Sequence, residues 1–187
     1  MVPTLCRTLG VKGHRPVVGS WDCKDMLYVF ASANVLTSQL HTKTVACRTG
    51  LYRRTGQSKT RRLQRTFAAH LHQIAEYYPA EKYPRVVLVI DNAPWHGGQI
   101  VQEALAEHPH LELKRLPSYS PQLNAIERFW KLLRRRATHN RLFDTLADLK
   151  RSIRNSLRYF QTVRSRIQSL IANCYTTPTK QTETTGT

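Results

Sequence analysis

Two carboxylates stand where they could act together. Asp91 follows directly on Val86-Val87-Leu88-Val89-Ile90, so it sits just past the C-terminal end of a β-branched run. Open α/β sheets place ligand-binding groups at such strand ends. Glu127 falls in the first turn of a helix that follows the loop Pro117-Ser118-Tyr119-Ser120-Pro121. One helix and one strand lie between the two acids, a connection that can return the chain beside Asp91. Paired carboxylates at a sheet edge offer hard oxygen ligands for Mg²⁺, which keeps several waters and brings phosphates to them. Two such ions about 4 Å apart activate a nucleophile and stabilise the leaving oxygen in phosphodiester chemistry. The same residues have a plainer reading. Asp91-Asn92-Ala93-Pro94 is good turn chemistry. Asn124-Ala125-Ile126-Glu127 fits a capping box, with Asn124 as N-cap and Glu127 at the third helical position.

Around these acids the pattern predicts an alternation of strands and helices. Val17-Val18 marks a short strand, and Met26 to Asn34 is a longer one, rich in β-branched and aromatic residues. Gln39 to Val45 is its hairpin partner across Leu36-Thr37-Ser38. Leu63, Phe67, Leu71, Ile74 and Tyr78 step by three or four, one apolar stripe beneath a basic face, and Pro79 and Pro84 close that helix. Arg85 to Ile90 reads as a central strand buried on both faces. Gly97-Gly98 leads to a helix over Gln99–Glu107, and Leu111 to Leu116 is a further strand. The helix starting near Ala125 carries Ile126, Phe129, Trp130 and Leu133 inward. Another uses Leu146, Leu149, Ile153, Leu157 and Phe160. This order predicts an α/β fold, a mixed sheet flanked by helices. Residues 1–160 form the main domain, 161–174 a C-terminal helical extension, and the Thr-rich 175–187 a disordered tail.

Composition bounds the partners. The chain has 187 residues, 41% of them hydrophobic, which suffices for one packed core. No apolar stretch approaches the roughly 20 residues of a membrane helix, and no secretory signal is evident, so no membrane partner is expected. Cys6, Cys23, Cys47 and Cys174 contain no C-x-x-C pair, which fits neither a zinc site nor a disulfide scaffold and points to a reducing compartment. Lys and Arg number 29 against 12 Asp and Glu, a formal net charge of +17 that calls for a polyanionic partner. The surplus is clustered. One block runs from Arg48 to Arg65 and includes Arg53, Arg54, Arg61 and Arg62. The other runs from Arg128 to Arg166 and includes Lys131, Arg134, Arg135 and Arg136. These eight are the candidate DNA contacts, although such runs often are only solvated helix faces. Trp95 and Tyr119 flank the acids and could stack on an exposed base or pack locally. His70 and His72, two apart on a helix, do not share a face, so metal ligation by them is not expected, and His108 and His110 read as surface loop residues.

Val86 to His96 (VVLVIDNAPWH) and Leu116 to Lys131 (LPSYSPQLNAIERFWK) resemble the DDE transposase domain of the IS630/Tc1/mariner superfamily, most closely its bacterial IS630 branch. One motif of that family is a strand ending in Asp-Asn with a nearby His. Another is Ser-Pro-x-Leu-Asn-x-x-Glu-x-x-Trp. Both stand here in order, and the resemblance covers roughly Pro3 to Phe160.

The resemblance implies an RNase H-like fold whose acids bind two Mg²⁺ (or Mn²⁺) ions for DNA cleavage and strand transfer. It places the second acid of the triad on Asp91 and the third on Glu127. Asn92 and His96 would shape the pocket, and Asn124 would cap the helix presenting Glu127. The family's first Asp lies on the opening strand, before a segment resembling Pro3-Thr4-Leu5 to Gly13-His14-Arg15-Pro16, and this sequence begins at that segment. Asp22 and Asp25 come later and read as turn residues. The opening strand and its Asp are therefore expected to be missing, as is the helix-turn-helix region, and metal binding is expected to be weak. The implied partners are transposon-end and target DNA, together with a second copy in a homodimer or a missing N-terminal portion in a complex, in the bacterial cytoplasm at the nucleoid. The alternative is a catalytically dead remnant that only binds nucleic acid.

Overall fold

The computed structural model describes residues 12–14, 17, 25–48, 56–118 and 124–171. Strands β1 (Met26–Ala33) and β2 (Leu40–Cys47) form an antiparallel hairpin, with Met26 opposite Cys47 and Ala33 opposite Leu40. Asn34 builds the turn. Its Oδ1 accepts the Leu36 and Thr37 amides at 2.8 and 2.9 Å, and Ser38 takes a positive φ of 57°. Helix α1 (Lys59–Tyr77) follows, capped by Ser58, whose Oγ accepts the Arg61 amide. Next come β3 (Val86–Ile90), a short 3-10 turn over Pro94–His96, α2 (Gln99–Glu107) and β4 (Leu111–Arg115). β3 and β4 pair in parallel, Val86 beside Leu111, with α2 as the crossover. Helices α3 (Ile126–Ala137), α4 (Leu146–Thr162) and α5 (Arg164–Ile171) complete the described chain.

The hairpin is packed on both faces. Alternate side chains of a strand point to opposite sides. Phe30, with Tyr28, joins one core with Leu63, Phe67, Leu71 and Ile74 of α1, Leu88 and Ile90 of β3, and Val101 and Ala104 of α2. Leu27, Val29 and Ala31 project the other way, against a second core of Phe129 and Leu133 from α3, Ile153, Leu157 and Phe160 from α4, and Ile167 and Ile171 from α5. The result is the mixed α/β arrangement of strands flanked by helices that the pattern predicts.

The burial expected of β3 is not found. Leu88 and Ile90 are buried, but Val87 and Val89 are 45% and 46% exposed, and β4 is its one partner among the described residues. The described strands thus form two pairs rather than one continuous sheet. Among the described residues, α1 and α2 pack on one face of β3, while the second core packs against the β1–β2 hairpin and includes no residue of β3. A β-branched run marks a strand but does not by itself supply a cover for its second face. Val17 is exposed and outside any strand, while Val18 and the tail 175–187 lie outside the described residues.

His70 is a polar residue inside the first core. It is 1% exposed, and its Nε2 lies 2.8 Å from Ser32 Oγ on β1. Burial pushes the ring down to about 4, helped by His41, Lys43 and His96 and opposed by Gln73. The folded ring is neutral near pH 7, whereas the unfolded ring protonates near 6.5. Its contribution to stability is therefore fully present above about pH 6.5, falls as the pH drops toward 4, and levels off below that. Denaturant unfolding at pH 7 and pH 5 should show this loss, with a clearly smaller loss in His70→Gln. An unchanged pH slope in the variant would mean that His70 is not the titrating group.

Candidate active site

Asp91 ends β3 and opens a loop pinned from three sides. Its Oδ1 accepts the Ala93 amide at 3.1 Å, an Asx turn, and lies 2.9 Å from His96 Nδ1. Asn92 Nδ2 donates to the Leu116 carbonyl at 2.8 Å and ties the end of β3 to the end of β4. Arg115 of β4 donates to the His96 carbonyl at 3.0 Å, and Gln64 of α1 donates to the Gly97 carbonyl at 2.7 Å. The Asp91 side chain is 54% exposed and that of His96 only 13%. The His96 ring packs on Phe67 at 4.4 Å and Phe30 at 6.2 Å between centroids. Burial lowers its pKa from the usual histidine value by more than the Asp91 carboxylate raises it. The neutral ring donates from Nδ1 to Asp91 Oδ1. Among the described contacts this leaves Oδ2 unengaged.

Glu127 lies half-buried in the first turn of α3, the helix packed against β1. Among the described residues no hydrogen bond or ion pair joins it to Asp91. The capping box is not formed. Helix α3 starts after Ala125, which has helical φ and ψ of −56° and −29°, and no side chain caps it. A side-chain cap needs an extended residue at that position. Here the Asn124 carbonyl accepts the Glu127 amide at 3.0 Å and the Ala125 carbonyl accepts that of Arg128, a tight first turn made by the backbone alone.

The basic candidates divide by what they touch. Arg61, Lys131, Arg134, Arg135 and Arg136 are exposed. Lys131 and Arg134 follow Glu127 at helical spacing, so a basic track continues along its face of α3. Arg136 stacks its guanidinium 3.7 Å from the Tyr159 ring. Arg62 is half-buried and donates to the Ala46 carbonyl at 2.9 Å, so it fastens α1 to β2. Trp95 packs edge-on against Tyr28 at 5.9 Å. Arg53, Arg54, Asp22 and Tyr119 lie outside the described residues.

Residues 43–150, more than half of the chain and a span containing both acids, match the family described as DDE superfamily endonuclease. The chain belongs to that family. No curated protein gives a significant sequence match. Three solved structures of the Mos1 transposase are similar in fold. A paired-end complex with the left transposon end gives a TM-score of 0.53 at 17% identity, covering 92% of this chain and 52% of that one. A mariner paired-end complex with Mn gives 0.56 at 15%, covering 92% and 51%. A strand transfer complex gives 0.51 at 16%, covering 92% and 51%. The chain therefore spans about half the length of the structures it matches.

Sequence reasoning found Asp91, Asn92 and His96 but not the groups that pin their loop, Gln64 and Arg115. Their signal was the Gly97-Gly98 doublet. Gly98 has φ 96° and ψ 169°, a conformation open almost only to glycine, and a Cβ there would lie 2.5 Å from Gln64 Nε2. Gly97 is extended, and a Cβ would meet only Arg115 at 3.1 Å. Gly98→Ala should destabilise the chain by about 1–3 kcal/mol, and Gly97→Ala by clearly less. Chemical denaturation of both variants checks the order, and equal losses would remove the backbone argument.

Proposed function

We propose that this chain is the catalytic portion of a DDE transposase of the IS630 branch, which cuts and joins DNA at transposon ends in the bacterial cytoplasm. The observation that carries this reading is that the family match spans Asp91 and Glu127, with Asp91 already oriented by His96 at the end of β3. The Mos1 structures, complexes with transposon-end DNA in one case and with Mn in another, support the same substrate and ion for this chain.

The donors fit Mg²⁺ or Mn²⁺. Both side chains offer carboxylate oxygens, and Asp91 keeps one oxygen clear of its internal partners. Asp91 and Glu127 would hold the ions. When bound, a divalent ion of this kind activates the attacking water and offsets charge developing on the phosphate. The chain's own residues prepare the site. The Ala93 amide and the His96 ring fix the rotation of the Asp91 carboxylate, as groups behind a ligand commonly do. Asn92 and Arg115 hold the loop to β4. Arg61, Lys131, Arg134 and Arg135 present exposed cations for phosphates and position the duplex without reading its bases.

The first acid of the family's triad stands on a strand upstream of Asp91 and Glu127, and catalysis on this reading needs that acid beside these two, in a homodimer or a larger complex. Alone it binds metal weakly and DNA through charge. Affinity for duplex DNA should fall by orders of magnitude between about 50 and 200 mM salt. In Mn²⁺-dependent nicking of labelled transposon-end DNA, the chain alone should be inactive. A version extended upstream by an Asp-bearing strand and the DNA-reading domain should nick, and Asp91→Ala or Glu127→Ala should abolish that. Robust nicking by the chain alone, lost in both variants, would show that another acid such as Asp25 completes the site. An extended protein indifferent to both substitutions would end the transposase reading.

A further inference from the structure

At the opposite end of the β3–β4 pair from Asp91, two helices bring three ligand-type side chains together. His72 lies on α1, Glu107 is the last residue of α2, and His108 is the residue that caps it. The His110 carbonyl, two residues on, accepts the Val86 amide at the start of β3, which fixes this loop at the entry edge of the strands. His72 Nδ1 lies 2.8 Å from His108 Nε2 and 3.8 Å from Glu107 Oε2, and the three ligand atoms all fall within 4.8 Å of one another. The two rings stand edge to face, with centroids 5.0 Å apart.

We propose that His72, Glu107 and His108 form a binding site for a zinc-type divalent cation that clamps α2 to α1. Two imidazole nitrogens and one carboxylate oxygen suit Zn²⁺, whereas Mg²⁺ demands six oxygens. A tetrahedral ion with bonds of about 2.0–2.1 Å sets its ligand atoms about 3.3 Å apart. The observed 2.8 and 3.8 Å bracket that value, and the carboxylate is on a side chain 66% exposed, able to close the difference by rotation. Two imidazole nitrogens this close can share one proton or one cation, but two protonated rings would oppose each other. The C-terminal carbonyls of α2 add negative potential at the same point. The backbone around His108 is held by its own amide on the Leu105 carbonyl and by the Leu111 amide on the His108 carbonyl, so two of the three ligands come from an ordered helix end. The remaining position, open to solvent, takes water. The donor set separates this site from the all-oxygen site proposed at Asp91.

The test uses the full chain. Titration calorimetry with ZnCl2 should give a site whose affinity falls at least tenfold in His72→Ala and in His108→Ala, and about tenfold in Glu107→Gln. Thermal unfolding should shift upward with Zn²⁺ in the natural chain and not in the two alanine variants, while MgCl2 gives no comparable shift. Should a variant fail to fold, Co²⁺ added to the natural chain reports directly. Visible d–d bands without a thiolate charge-transfer band support nitrogen and oxygen ligands. A thiolate band would put the ion on the cysteines and overturn the proposal, as would zinc binding that survives both histidine substitutions, or none at all.

Discussion

The apolar stripe of α1 is the contact on which both strand pairs depend. Among the described residues no ladder of hydrogen bonds joins β1–β2 to β3–β4. Their relative placement rests on side chains instead: Leu63 and Leu71 at 0% exposure and Phe67 at 3%, packed against Phe30 from one pair and Leu88 and Ile90 from the other. Phe67 has a further neighbour in the His96 ring. One core side chain thus touches the hairpin and the loop that presents Asp91. Truncating a buried phenylalanine costs about 3–5 kcal/mol, so the position of the acid is tied to the best-packed part of the fold. Interiors are close-packed and transmit displacement rather than absorb it.

Charge is arranged around this frame in two ways. Several cations are structural. Arg62 holds β2, Arg115 holds the His96 carbonyl, and Arg128 reaches the Leu170 carbonyl on α5. Each satisfies a carbonyl that would otherwise depend on water. Many others stand exposed, among them Arg61 on α1 and Lys131, Arg135, Arg154 and Arg158 along α3 and α4. With a net charge of +17 these repel one another, and a polyanion relieves that repulsion as it binds. A count of basic residues cannot separate the two groups. The separation depends on where each side chain ends.

The local signals were strong where periodicity was long. The α1 stripe, the hairpin and the bounds of α2 were legible because helix and strand periods are properties of neighbouring residues. The Asp91–Asn92–His96 cluster was legible as a motif, and its internal contacts follow from five or six consecutive residues. What escaped was non-local or depended on the backbone. The run Val86–Ile90 carries no mark of which face lacks a cover, so the exposure of Val87 and Val89 was hidden. Asn124 and Glu127 have the spacing of a capping box, yet Ala125 adopts helical dihedrals and the side chain cannot cap. His72 and His108 are 2.8 Å apart only because α1 and α2 pack together. The helical spacing of His70 and His72 spoke only to each other, and they indeed diverge, one into the core and one to the α2 end.

For the proposed active site, electrostatics link the ion to the DNA. Asp91 is exposed and its Oδ1 is already engaged by two donors, so orienting it costs little when a cation arrives. Binding a dication next to Arg115, within a chain so rich in cations, is opposed by their summed potential, and two carboxylates offset only part of it. Phosphates lying along Lys131 and Arg134 neutralise the nearest of those cations and offer oxygen ligands of their own, which Mg²⁺ accepts readily. Each partner then raises the affinity of the other by the same factor, since coupling between two binding equilibria is reciprocal. On the proposed reading, the basic surface and the two acids would act as one electrostatic device. The surplus charge that would weaken an isolated metal site would also bring the phosphates that complete it.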